Sequence, residues 1–187
     1  MANEKTFHEP DTSLFPVPAV MVSCTSKDGK KSNIITLAWV GILSSDPPII
    51  GIAIRPSRYS YGLISETGEF AVNLPSEDQV KAMDYCGRVT GKDIDKFKEA
   101  GLTAVKASKI KAPLIKECPV SLECKVVKVL KDFSKSHHLF LGEVVAVAMN
   151  GDLKGKLDMA KIKPVAFCAG KYFGLGQLLG SIGFSRK

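Results

Sequence analysis

Long apolar runs are missing from this sequence, and none approaches the roughly 18 residues that a bilayer-spanning helix requires. The first ten residues carry Glu4 and Glu9 and no apolar stretch of the kind a secretory signal needs. A cytoplasmic protein with no membrane partner is expected. Paired cysteines are missing too. Cys24, Cys86, Cys118, Cys124 and Cys168 form no CxxC pair, and an odd number cannot complete a disulfide framework. Only three histidines accompany them, two of them adjacent, so no metal site is expected. Aromatic residues are scarce at 7%, and the lysines are dispersed rather than interleaved with stacking rings. A nucleic-acid partner is therefore not expected, and a basic barrel binding single strands is the remote alternative. Internal repeats and low-complexity segments are absent.

What is present is an ordinary globular composition, 45% hydrophobic and 24% charged over 187 residues, which suits a single domain with its own core. The net charge of +7 would concentrate anionic partners near the surface. Glycine and proline punctuate short apolar runs, a β-rich rhythm. Pro18 to Cys24 and Asn33 to Val40 flank Asp28-Gly29, a strong hairpin signal. Asp46-Pro47-Pro48 forces a turn before a buried strand, Ile49 to Ile54, and Phe70 to Leu74 is a further strand. A short helix is expected between Tyr59 and Glu66, with Ser57 or Ser60 as its N-cap and Gly68 beyond its end. A second is expected from Ser76 to Cys86, capped by Ser76. Val120 to Val126 alternates strictly, and the phase break at Val126-Val127 reads as a bulge. Leu139 to Met149 is apolar on both faces apart from Glu143, which suggests a covered outer surface. The fold class is mainly β, with roughly six or seven strands and short helices, and a small barrel is the simplest closure.

Several segments could carry chemistry. Arg55-Pro56-Ser57-Arg58-Tyr59-Ser60 follows a buried strand and precedes a helix start, where forked guanidinium donors, hydroxyls and free backbone N–H groups suit a phosphate. A solvated polar loop would look the same. Ser44-Ser45-Asp46 presents hydroxyls at a rigid turn. Asn33 and Thr36 are polar residues in an apolar strand, to be paired structurally or aimed at a ligand. Lys92 and Lys96 lie in a loop that could add charge beside a phosphate or be solvated. His137 and His138 open the long apolar strand, as proton-transfer groups or as structural edge histidines. Gly174-x-Gly176-x-x-x-Gly180 is no dinucleotide fingerprint, because only seven residues follow it; those glycines suit close approach to another surface.

In order along the chain come Pro16-x-Pro18-Ala19-Val20, Gly29-x-x-Ser32-Asn33, Ser44-x-Asp46-Pro47-Pro48, the Arg55 to Ser60 loop and Glu69-Phe70-x-Val72-Asn73-Leu74. Gly91-x-Asp93-x-Asp95-Lys96-Phe97, His137-x-x-Phe140-x-Gly142-Glu143-Val144 and Tyr172-x-x-Leu175-Gly176 follow. Together they resemble the flavin reductase-like, FMN-binding split-barrel family, its flavoredoxin branch in particular. The resemblance implies a six-stranded antiparallel Greek-key barrel spanning residues 1–187, with an N-terminal arm over about 1–15 and a dimer-contacting segment over about 169–187. It also implies a homodimer with one FMN per subunit. The flavin ring would lie against Asn33, Thr36, Leu37, Ala38 and Trp39 and the Ser44-Ser45 turn. The loop of Ser57, Arg58, Tyr59 and Ser60 would hold the phosphate, with Lys92 and Lys96 beside it, and Arg55 would be a further cofactor-binding residue. His137 would be a catalytic proton donor or ring-edge contact. Family members that use a nicotinamide donor often carry Gly-Asp-His where this chain has Lys135-Ser136-His137. The acid that would orient the histidine is gone, which leaves NAD(P)H or a reduced redox protein as the electron source, and His138 as a substitute for His137. Reduction of FMN as a released substrate, and non-enzymatic flavin binding or storage, are the alternatives.

Overall fold

The computed structural model describes residues 4–185. A two-residue strand, β1 (Val17–Pro18), leads into the hairpin of β2 (Val20–Thr25) and β3 (Ser32–Leu37). Its turn works because Gly29 takes φ +73°, a left-handed conformation costly for a residue with a Cβ.

The expected single strand from Asn33 to Val40 is not continuous. β3 stops at Leu37, the chain bends through Ala38-Trp39, and β4 (Val40–Ser45) joins the opposite edge of the sheet, against β5 (Pro48–Ile54). The Trp39 carbonyl accepts the Ala53 N–H at 2.9 Å, a long-range bond that holds the bend.

α1 (Tyr59–Thr67) ends at Gly68, with φ +67°. Its N-cap is Arg58, in extended backbone, not Ser57 or Ser60; Ser60 lies inside the first turn, where its hydroxyl accepts from Asn33 Nδ2 at 2.8 Å. After β6 (Glu69–Leu74), Ser76 opens a 3₁₀ turn, and its N–H donates to Gln79 Oε1 at 2.8 Å. The expected helix thus begins as 3₁₀ and becomes α2 over Val80–Arg88. α3 (Lys96–Glu99) is capped by Asp95. A small ladder, β7 (Ala104–Val105) with β8 (Leu114–Ile115), precedes the long pair β9 (Val120–Leu130) and β10 (His138–Met149). Between these the register slips so that Val127 has no opposite residue, the expected bulge. α4 (Met159–Ile162) leads to β11 (Val165–Cys168) and β12 (Lys171–Gly174). Lys171–Gly174, within the expected contact segment over 169–187, is thus paired into the fold.

The main sheet has seven antiparallel strands, ordered β3-β2-β6-β9-β10-β5-β4, where six were expected; the added strand is β4, released by the bend at Trp39. β1, β11 and β12 form a separate three-stranded sheet. Two cores follow from the alternation of side chains along β2 and β3. Val22, Cys24 and Ile35 face the barrel interior with Ile52, Ile54, Phe70 and Phe140, and α1 plugs one end with Leu63 and Ile64. Met21 and Ile34 face outward against Met83, Cys86 and Phe97 of α2 and α3. No helix among the described residues is long and apolar enough to cross a membrane.

Candidate functional site

Two joined hollows lie where the sheet splits, between β3 and the end of β5. The larger, about 270 Å³, is lined by Ala19, Ile35 to Trp39, Ala53 to Arg55, Arg58, Gly87, Arg88, His137, Phe167 and Tyr172. The smaller, about 100 Å³, is lined by Asn33, Ile35, Ser57 to Ser60, Cys86, Gly87, Val89 to Gly91 and Lys96. Ile35, Arg58 and Gly87 belong to both. No carboxylate lines either one.

The smaller hollow is built on the start of α1, where the Tyr61 N–H is spent on the Arg58 carbonyl and the Tyr59 and Ser60 N–H groups precede the first helical bond. Arg58, the hydroxyls of Ser57 and Ser60, and Lys96 surround it. Lys96 is almost fully buried at 3% exposure, and its ammonium donates to the carbonyls of Ile34 at 2.8 Å and Cys86 at 2.7 Å. Those carbonyls need a donor for a local reason. Cys86 lies in the last turn of α2, beyond the reach of helical N–H groups, and Ile34 is on an edge strand. Burial pulls the Lys96 ammonium below the usual lysine value. An ammonium has three donors, so two such bonds leave one for a ligand.

Asn33 sits on the floor, 2% exposed, and its Oδ1 has no hydrogen-bond partner. An orphaned buried acceptor in a hollow is a place for a ligand hydroxyl or N–H. Gly91 passes so close to Asn33 Oδ1 that a Cβ there would collide with it, so only glycine leaves the hollow its shape. Thr36 has the other of the two expected roles: its hydroxyl donates to the Met83 carbonyl and ties α2 to β3.

In the larger hollow the walls are apolar and aromatic. Phe167 lies with its ring centre 6.4 Å from Trp39, 5.9 Å from Tyr172 and 6.0 Å from Phe15. Tyr172 Oη donates to Asp84 Oδ1 at 3.0 Å; burial and that carboxylate push the phenol up to about 12. His137 stands at the rim. Partial burial, and then Arg55 and Arg58, hold its imidazole below the usual range, so it is neutral at pH 7. The Ser136 hydroxyl contacts the ring, with Oγ 2.8 Å from His137 Nδ1, but brings no negative charge to it. His138 does not substitute for its neighbour. Its Nδ1 lies 2.8 Å from Tyr61 Oη and its ring packs on Tyr61, outside both hollows.

The expected site residues are therefore largely brought together: Thr36, Leu37, Ala38, Trp39, Arg55 and His137 in one hollow, Asn33, Ser57, Tyr59, Ser60 and Lys96 in the other, and Arg58 in both. Ser44 and Ser45 are not. They lie at the far end of β4, where Ser44 Oγ donates to the Asp46 carbonyl, because the bend at Trp39 carries β4 away from the cleft. Lys92 lines a neighbouring surface groove with Lys30 and Lys31. Sequence reasoning missed Arg88, Phe167 and Tyr172 as lining residues. Only Tyr172 left a signal, as part of a family motif.

The flavin reductase-like domain family matches residues 12–176. A protein of Archaeoglobus fulgidus is 40% identical over 131 residues, covering 70% of this chain and 73% of that protein. Among solved structures, the flavoredoxin of Desulfovibrio vulgaris is 31% identical and superposes with a TM-score of 0.89, over 98% of this chain and 99% of that one. A flavoredoxin from Methanosarcina acetivorans is 30% identical with a TM-score of 0.88, over 97% of each chain. With its split barrel and a family match over nearly its whole length, the chain belongs to the flavin reductase-like family.

Proposed function

We propose that this protein is an FMN-binding oxidoreductase that passes electrons from NAD(P)H or a reduced redox protein to an acceptor. The observation that carries this reading is the graded cleft: a small cationic hollow without carboxylates, joined through Ile35, Arg58 and Gly87 to a larger apolar and aromatic one. A phosphate suits the first, a planar ring the second, and a polyhydroxyl linker would pass Arg58 between them. Bound FMN would supply the hydride and single-electron chemistry.

The chain's own residues do the rest. Arg58, Ser57, Ser60, Lys96 and the α1 N-terminus hold the phosphate with charge-assisted hydrogen bonds. The strand edge from Ile35 to Leu37, with Ala38 and Trp39, offers the ring a rigid backbone wall. His137, neutral and oriented by Ser136, can accept or donate a proton at the rim. A homodimer belongs to the same reading. Ile42 at 82% exposure and Leu43 at 55% form an apolar outer edge beside Ser44-Ser45 that a second copy would cover.

The test is a visible absorption spectrum after desalting, followed by anaerobic addition of NADH and then NADPH. Retained flavin bleached by either nucleotide supports a nicotinamide-dependent flavoenzyme. Retained flavin that neither nucleotide bleaches points to a protein donor. Flavin that washes off but is reduced on addition marks a released substrate. A protein that takes up no added FMN refutes the proposal.

A further inference from the structure

Among the described residues, the one buried side-chain polar atom without a partner is Asn33 Oδ1, and it lies beneath a segment that is itself almost unbonded. Residues 90–94 lie between α2 and α3. Among the described residues their only main-chain hydrogen bond runs from the Lys92 N–H to Thr90 Oγ1, at a long 3.3 Å. Both ends of the segment are nevertheless fixed. The buried Lys96 ammonium donates to the Cys86 carbonyl at 2.7 Å and so ties the start of α3 to the last turn of α2. A short unbonded span between two fixed ends rearranges at low cost.

Gly91 lies against Asn33 Oδ1 so closely that no Cβ fits between them. The N–H groups on either side of its Cα are its own and that of Lys92, and glycine's backbone freedom lets either peptide turn towards the acceptor. A buried acceptor left unbonded is costly, and such a turn recovers the missing bond at the expense of ordering the span. The residue that follows decides where this balance tips. Lys92 is exposed and lines the surface groove with Lys30, Lys31, Asp93 and Asp95. Gly91 lines both that groove and the phosphate-sized hollow, so a turn at Gly91 carries the Lys92 side chain from one towards the other.

We propose that residues 90–94 form a strap that closes over the ligand's phosphate, with Asn33 Oδ1 as the catch for a Gly91 or Lys92 N–H and the Lys92 ammonium brought onto the phosphate. This rests on the FMN reading and adds a selectivity to it: the strap closes for a phosphorylated flavin and stays open for riboflavin. A ligand shifts a two-state segment only through an interaction made in one state and not in the other, and the pair of Lys92 with phosphate is that interaction.

The experiment is amide hydrogen exchange at Gly91 and Lys92 in the flavin-free protein, and then with saturating FMN, riboflavin or inorganic phosphate. Fluorescence titration of both flavins accompanies it. FMN and inorganic phosphate are expected to slow exchange there about tenfold or more, and riboflavin by less than about twofold. Lys92→Met should weaken FMN binding about tenfold and leave riboflavin affinity unchanged. Asn33→Leu keeps much of the side chain's shape without the catch, so exchange at both amides should stay fast with FMN bound. Lys92→Met, at an exposed position, keeps the test open if Asn33→Leu does not fold. The proposal is overturned if FMN binds and exchange at both amides is unchanged, if riboflavin slows it as much as FMN, or if Lys92→Met weakens both flavins equally or neither. Each of those results leaves the FMN reading standing. If FMN does not bind, that reading falls, and inorganic phosphate decides the strap alone: slowed exchange supports it and unchanged exchange overturns it.

Discussion

Replacing Lys96 with methionine separates the two roles of one buried charge. Methionine keeps most of the length and volume of the lysine stem but cannot donate. The carbonyls of Ile34 and Cys86 lose bonds of 2.8 and 2.7 Å and stay buried. An unsatisfied buried acceptor costs about 1–3 kcal/mol. The ammonium's own desolvation is relieved at the same time, which offsets part of this. The expected net loss is about 2–4 kcal/mol, and with a urea m-value of about 2 kcal/mol/M for a chain of this size the midpoint falls by about 1–2 M. Equilibrium urea unfolding of the flavin-free protein measures this without any contribution from ligand. A flavin-free Lys96→Met protein that unfolds within about 0.5 kcal/mol of the parent would refute the structural role. Unchanged FMN affinity in the same variant would refute the role at the phosphate. Protonation gives a further check. The lowered Lys96 pKa means that the unfolded chain binds more protons between that value and the ordinary 10.5. Stability contributed by this group is therefore expected to rise with pH through that window, a trend that Lys96→Met should abolish.

Arg58→Ala is expected to weaken FMN binding roughly tenfold or more by fluorescence titration, through loss of a charge-assisted hydrogen bond; equal affinity would remove the phosphate assignment. Gly91→Ala should force the Asn33 side chain away from its Ser60 bond, costing about 1–3 kcal/mol and lowering FMN affinity together, as thermal unfolding and titration would show. Gly142→Ala tests the core, since a Cβ there would meet the ring of Phe70; a destabilisation of about 1–3 kcal/mol with unchanged flavin affinity is expected. His137→Ala should slow flavin reduction without emptying the site, and loss of FMN would mark a structural histidine instead. Arg55→Ala should raise the His137 pKa towards 6.5, read by NMR titration of the imidazole. Because the folded pKa lies below the unfolded one, acidification through that window destabilises the parent, and less so the Arg55→Ala variant.

Local signals in the sequence proved to be the readable ones. The hairpin at Asp28-Gly29, the Gly68 stop and the bulge at Val127 each follow from two or three adjacent residues. What was not readable depends on closure of the sheet. NIITLAWV holds no glycine or proline and reads as one strand, and nothing in it announces that Trp39 will bond Ala53 and turn the chain onto the other edge. Ser44 and Ser45 were carried out of the cleft by the same bend. Lys96 looks like any loop lysine until α2 and β3 are seen to leave two carbonyls facing it. Asn73 stood in a motif without a role; in the fold it gathers Met21, Ser23, Ile115 and Ser121 into one buried set of hydrogen bonds. Arg88, Phe167 and Tyr172 reach the site from segments distant in sequence, which only topology brings together.

The split at which the cleft lies is bounded by strands β3 and β5, with the chain crossing between sheet edges at Ala38-Trp39. A flat ligand seated there occupies the position of a missing strand, and prying the two walls apart means uncurling the sheet itself. Ligand binding and global unfolding are then one coordinate. Amide exchange at Ile35 and Leu37 should slow on loading by the same factor as exchange deep in the barrel at Phe70 and Phe140, so that the ligand acts as a clasp on the whole fold.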